Sequence, residues 1–174
     1  MRSTFPVRKL ALAAVVAAMY TVMGYFGDIF GLTFGPVQFR FAEALTVLPF
    51  LFPETAWGLF VGCILTNLLS MYGAIDVVFG SLATLLAGLL TARCKSKWLA
   101  PLPPVVCNGL ITSPVIAYGT TGATRAFLAS WGANIVSITV TEAVICYLLG
   151  MTLLEALDRS GAAKRLGGRN LHTA

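Results

Sequence analysis

Residues Ile75–Lys97 read IDVVFGSLATLLAGLLTARCKSK: eighteen residues with a single charge, Asp76, and then three basic residues within five. A helix that crosses a bilayer needs about 20 mostly apolar residues, with a range of roughly 17–25. Basic residues collect at its cytoplasmic end. Working outward, five more stretches have the same character: Leu10–Phe26, Phe41–Phe52, Thr55–Met71, Leu102–Tyr118 and Ala126–Leu157. They are apolar nearly all round, where a soluble helix would keep one polar face. Nothing alternates with the period of two that a membrane β-barrel requires. The composition agrees, with 57% hydrophobic and 11% charged residues against roughly 25% charged in a soluble domain. Mean hydropathy is +0.84.

These stretches predict an all-α fold, a six-transmembrane-helix bundle. The helices fall near 8–26, 38–52, 54–72, 75–93, 101–118 and 126–157. Residues 1–158 form one integral membrane domain, and 159–174 a basic cytoplasmic tail. Phe41–Phe52 is short, so its helix is expected to begin upstream, near Val37. Ala126–Leu157 is too long for a simple crossing at about 1.5 Å per residue, which predicts a break or a lateral segment near Gly132. Pro114 is expected to kink the fifth span. The connection Gly27–Val37 is too apolar for a solvated loop and is expected to fold back over the outer mouth of the bundle.

Arg2, Arg8 and Lys9 precede the first span. Arg93, Lys95 and Lys97 follow the fourth, and Arg159, Lys164, Arg165 and Arg169 the sixth. Six crossings place all three clusters, and both termini, on the cytoplasmic side; five would split them. The net charge of +5 is thus accounted for by topology, and nucleic-acid binding is not expected. The N-terminal apolar segment is too long for a cleavable signal, and further spans follow it. Cys63, Cys94, Cys107 and Cys146 form no CxxC pair, and the one histidine, His172, lies in the tail. Neither disulfides, a metal site nor a cofactor is expected. No GxxxxGK[ST] phosphate loop occurs, so any ATP-driven step belongs to another subunit.

Ionisable residues within spans are rare and mark functional sites by default. The candidates are Arg40, Glu43, Asp76 and Glu142, with Gln38, Asn67, Asn108 and Asn134 as amide companions. Helical rise places most of them in the outer half of the bundle, which predicts a pocket open to the exterior. A proton relay would spread through the full depth. Arg40 and Glu43, three apart, can neutralise each other on one face. Asp76 can serve as a charge favoured at a helix N-terminus. Glu142 has no charge near it in sequence and is the strongest ligand candidate, unless it pairs with Arg40 or Asn108. The asparagines can equally well bond between helices. Gly80, Thr84 and Gly88, and the overlapping pairs Ala13/Ala17 and Ala14/Ala18, are small residues at spacing four. They suit internal packing or a docking face for a membrane partner.

Gln38–Pro49, QFRFAEALTVLP, and Asp76–Leu85, DVVFGSLATL, resemble the queuosine-precursor transporters, substrate-binding S components of energy-coupling factor (ECF) transporters. Gly58–Leu68, Asn108-Gly109 and Glu142–Gly150 extend the likeness over roughly Arg8–Leu157. The resemblance implies a multi-pass protein of the bacterial cell membrane with an outward pocket. It implies partnership with a transmembrane coupling protein and two cytoplasmic ATPases, docked through an Ala-x3-Ala pattern matched here by Ala14 and Ala18. It implies a 7-deazaguanine substrate: queuine, preQ1 or preQ0. A carboxylate of Glu43, Asp76 or Glu142 can accept the ring's adjacent N–H donors. Gln38, Asn67 or Asn134 can donate to its carbonyl. The preQ1 cation calls for a second carboxylate or an aromatic face, and Phe34, Tyr72, Phe79 and Trp131 are candidates to stack. The competing readings are an S component for another vitamin-like substrate and a stand-alone secondary transporter, although the two halves show no repeat. An enzyme is disfavoured, because no nucleophile–base pair or metal cluster is present.

Overall fold

The computed structural model describes residues 7–33 and 38–169. Every regular element among them is helical. α1 (Val7–Ile29) is followed by a 3₁₀ helix, Phe41–Phe50, and then by α2 (Thr55–Asn67) and α3 (Ala74–Thr91). Two composite rods come next. The first, Lys97–Thr121, joins a 3₁₀ turn to α4 (Leu102–Cys107), a π segment (Asn108–Thr112) and α5 (Ser113–Thr121). The second, Phe127–Arg159, joins α6 (Phe127–Val144), a π segment (Ile145–Gly150) and α7 (Met151–Arg159). A single turn, α8 (Ala162–Arg165), follows.

Four of these helices are long and apolar enough to cross a membrane: α1, α3 and the two rods. The 3₁₀ helix and α2 are apolar but shorter. Large aliphatic side chains such as Val22, Leu128 and Val136 point outward, while Glu43, Asn67, Asp76 and Glu142 are buried. A soluble protein would arrange them the other way round; lipid favours this inversion.

The 3₁₀ helix is the centre of the bundle. Residues 42–50 are all buried, Glu43 and Thr46 among them. Val47 and Phe50 pack with Ala100, Val105, Cys146 and Leu154. Ala42, Leu45 and Leu48 pack with Val16, Tyr20, Leu59 and Cys63. At about 2 Å rise per residue it spans only about 20 Å. It does not extend upstream as expected. Gln38–Arg40 are non-helical, with Arg40 extended, and the Phe39 N–H is donated to the Leu32 carbonyl (2.8 Å).

A further expectation is corrected. α6 runs through Gly132 without a break; one glycine costs a helix only about 1 kcal/mol. The irregularity falls instead at the π segment Ile145–Gly150. Pro114 is accommodated by the π segment just before it, which contains Leu110, the residue whose carbonyl the proline ring would meet in a regular helix.

The C-terminal stretch is no simple tail as far as Arg169. Gly161, in the left-handed region at φ 69°, turns the chain back, and Ala163 is buried. The Arg169 N–H donates to the Leu51 carbonyl (3.0 Å), and its guanidinium donates to the Cys94 carbonyl (3.3 Å). The guanidinium also lies 5.9 Å from the Phe50 ring centre. His172 lies outside the described residues. Arg169→Ala removes one side-chain hydrogen bond and an exposed cation–π contact, so a stability loss of about 1 kcal/mol is expected. Thermal unfolding in detergent should record a fall of roughly 2–4 °C; an unchanged midpoint would mean that the clasp does not hold.

Candidate functional site

Helical spacing builds two facing stripes. Asn108, Thr112, Ile116 and Thr120 recur every four residues on the first rod. Ser130, Asn134, Ser137, Ile138, Thr141, Glu142 and Ile145 share one face of the second. Gly109 lets the rods approach, since a Cβ there would stand 2.5 Å from the Thr139 hydroxyl.

Two adjoining cavities lie between the stripes. A vestibule of about 200 Å³ is walled by Gln38, Tyr72, Ile116, Thr120, Ser130, Asn134, Ser137 and Ile138. A recess of about 10 Å³ is walled by Gln38, Arg40, Asn108, Thr112, Ile138, Thr141, Glu142 and Ile145. Gln38 and Ile138 belong to both. The vestibule gathers residues next to the 68–73 and 122–126 connections. The Arg169 clasp, next to Leu51 and Cys94, holds the opposite end of the bundle.

In the recess, Asn108 Nδ2 donates to Glu142 Oε1, and the Cys146 thiol lies 3.6 Å from Glu142 Oε2. Both partners are neutral. The buried Thr112 hydroxyl has no partner among the described residues. Asn108 opens one π segment, and Glu142 lies three residues before the other; such wide turns are frequent at functional sites. In the vestibule, the Tyr72 ring packs on Gly119, and its phenol interacts with the Gln38 side chain. Burial first, and then the nearby Asp76 charge, push that phenol above its ordinary value. Tyr72 is therefore a neutral donor at any physiological pH.

Of the residues singled out from the sequence, Gln38, Arg40, Tyr72, Asn108, Asn134 and Glu142 line these cavities. Glu43, Asn67, Asp76 and Trp131 do not, and three of them form a network behind the wall. Arg40 Nη2 donates to Asn67 Oδ1 (2.6 Å), and Arg40 Nε lies 4.0 Å from Glu43 Oε1. Tyr20 donates to Glu43 Oε1 (2.5 Å), Asn67 Nδ2 to the Asp76 carbonyl (3.1 Å), and Ser70 to Asp76 Oδ2 (2.6 Å). Gly80 leaves room for the Asn67 amide. Trp131 packs on Phe127, Phe79 is exposed, and Phe34 lies outside the described residues. Thr112, Thr120, Ser130, Ser137 and Thr141 were not singled out; their signal is the spacing of three and four that they share with Asn108, Asn134 and Glu142.

The small-residue pairs separate cleanly. Ala13 and Ala17 pack on α2, where a Cβ on Gly58 or Gly62 would strike their carbonyls. Ala14 and Ala18 are exposed. Leu10, Ala13, Ala14, Ala17, Trp57, Gly58 and Val61 line an apolar groove of about 250 Å³ on that face.

A family model described as "QueT transporter" matches residues 10–159. The chain belongs to the QueT transporter family. It is similar to the queuosine precursor transporter QueT of Lactococcus lactis subsp. cremoris (strain MG1363), with 33% identity over 89 residues. The match covers 49% of this chain and 52% of the relative, so the chain spans about half the length of the curated relative it matches. No solved structure matches. This QueT-family chain is a multi-pass membrane protein of a family of transporters.

Proposed function

We propose that the chain is the substrate-binding S component of an ECF-type importer of the bacterial cell membrane. It takes up a queuosine precursor, a 7-deazaguanine such as queuine, preQ1 or preQ0, through an outward-facing pocket. The carrying observation is the paired cavity joined at Gln38. Its vestibule is below the roughly 300–1,000 Å³ of drug-sized sites and its polar walls are neutral amides and hydroxyls, which suit the edges of a planar bicycle. The name of the Lactococcus relative supports the substrate class. On this reading six helices span the membrane with both termini cytoplasmic, because Arg93, Lys95, Lys97, Arg159, Lys164, Arg165 and Arg169 then share one side. Residues 1–158 form the membrane domain, and the cavities open on the other side. Energy comes from a coupling protein and two ATPases, docked on the α1 face that carries Ala14 and Ala18.

Equilibrium binding of preQ1, queuine, guanine and riboflavin to the purified protein tests the substrate. A deazaguanine should bind at least about tenfold more tightly than guanine or riboflavin. If no deazaguanine binds the folded protein, the substrate class is wrong. Docking is tested separately. Ala14→Trp and Ala18→Trp should leave ligand binding within about twofold and abolish co-purification with the coupling protein, since exposed substitutions perturb folding little. Retained co-purification would move the docking face elsewhere.

A further inference from the structure

Tyr72 is held at its backbone, its ring and its tip. It lies half-buried in the connection between α2 and α3. Its backbone N–H donates to the Ser70 hydroxyl oxygen (3.2 Å), and Ser70 in turn donates to Oδ2 of the buried Asp76 (2.6 Å). The Gly73 N–H closes the same turn on the Ser70 carbonyl (3.2 Å), and Gly73 takes φ 69°, a conformation that favours glycine. The ring packs on Gly119 of α5, where a Cβ would stand 2.5 Å from Tyr72 Cδ1. The phenol interacts with the Gln38 side chain. Tyr72 thus reaches from the 68–73 connection to Gln38 and to the first rod. A side chain anchored in this way keeps its rotamer when a guest presses on it. Tyr72 is also a wall of the vestibule, at the end next to the 68–73 connection. The vestibule holds about 200 Å³ and the adjoining recess about 10 Å³. The first is below the roughly 300–1,000 Å³ of drug-sized sites, and the second admits about one water-sized group. A planar bicycle with an arm of one carbon is a guest of that scale. The same bicycle with a second, hydroxylated ring on its arm is larger than the vestibule provides for, and the recess has no space for that ring.

We propose that Tyr72 is a specificity-determining residue, a fixed bar across the vestibule that passes a bare or short-armed base and turns away one whose arm ends in a second ring. This rests on the 7-deazaguanine reading above and specifies which members of that class are taken: those of preQ1 and preQ0 size, and not queuine. The bulk of the aromatic ring sets the limit. The Ser70 and Gln38 contacts and the close seat on Gly119 keep that ring from moving aside.

The test is equilibrium binding to the full chain in lipid nanodiscs. The ligands are 7-aminomethyl-7-deazaguanine and queuine, which is the same molecule with a cyclopentenediol ring on the arm nitrogen. Wild type, Tyr72→Ala and Tyr72→Phe are compared. Wild type should bind the aminomethyl compound at least about tenfold more tightly than queuine, the scale of forcing extra atoms into a packed site. Tyr72→Ala should bring the two within about threefold of each other, chiefly by tightening queuine, because specificity is a difference of two affinities. Tyr72→Phe, which keeps the ring and loses the phenol, should retain the wild-type preference. Equal binding of the two ligands to wild type would overturn the size limit and leave the substrate class standing. A preference that persists undiminished in Tyr72→Ala would also overturn it, by placing the limit elsewhere in the wall. Loss of the preference in Tyr72→Phe would overturn it as well, by tracing the discrimination to the phenol instead of the bulk of the ring. Failure of both ligands to bind folded wild type would overturn the substrate class and the size limit together.

Discussion

Arg40→Met is expected to lower the stability of the purified protein by about 3–5 kcal/mol, the usual cost of removing one partner from a buried ionic network. Arg40 is buried, donates to Asn67 (2.6 Å) and lies 4.0 Å from Glu43. Without it, the Glu43 carboxylate keeps the Tyr20 hydroxyl alone among the described residues, and its second oxygen already has no partner among them. Asn67 loses the donor that fixes its amide, and with it the orientation of the Asp76 backbone at the start of α3. At roughly 2–4 °C per kcal/mol for a chain of this size, thermal unfolding should fall by about 10 °C. The double variant Arg40→Met/Glu43→Gln should recover much of the loss, because neutral methionine then faces a neutral amide. A single variant that melts within about 3 °C of wild type would show that the cluster is not the buried ionic network described.

Gly58→Leu is expected to prevent α1 from seating on α2. A Cβ at Gly58 would strike the Ala13 carbonyl, and backbone cannot step aside as a side-chain tip can. Overpacking at such a crossing costs about 3 kcal/mol or more. The protein should lose its monodisperse peak in size-exclusion chromatography or melt far below wild type. Gly58→Ala should already show part of the effect. Ala14→Leu, on the exposed side of the same helix, should change stability by no more than about 0.5 kcal/mol. Normal behaviour of Gly58→Leu would mean that the two helices do not meet at this point.

The long apolar stretches were legible because hydropathy is a local property, and α1, α3 and the two rods follow it closely. The Arg40–Glu43 pair was legible because the two lie three residues apart in sequence, although Arg40 is extended and stands just before the helix that carries Glu43. What could not be read was set by distant partners. The segment before the 3₁₀ helix stays non-helical, its Phe39 N–H reaching back to the Leu32 carbonyl. The pairing of Asn108 with Glu142, one of two alternatives open from sequence, is decided by how the two rods pack. Asp76 and Asn67 looked like ligand contacts by composition, yet both are held behind the wall, Asn67 by Arg40 and the Asp76 carbonyl and Asp76 Oδ2 by Ser70, while Asp76 Oδ1 has no partner among the described residues. The hydroxyls were hidden for another reason. Serine and threonine in apolar helices commonly bond back to their own turn, as Thr120 does to the Ile116 carbonyl (2.9 Å). Only the three-dimensional arrangement distinguishes Thr112, whose hydroxyl has no such partner.

The π segment at Asn108–Thr112 bears on insertions and deletions. A wide turn holds about one residue more than an α-turn, so deleting one residue there could close it into regular helix without breaking the rod. Everything beyond the deletion would then rotate by about 100°, the angle that one residue subtends in an α-helix. Ile116 and Thr120 would leave the cavity wall, and their neighbours would replace them. Two relatives differing by that single residue could keep the same bundle while presenting different side chains to the ligand. Alignments of this rod should therefore be anchored separately on either side of the wide turn before any contact is transferred from one chain to another.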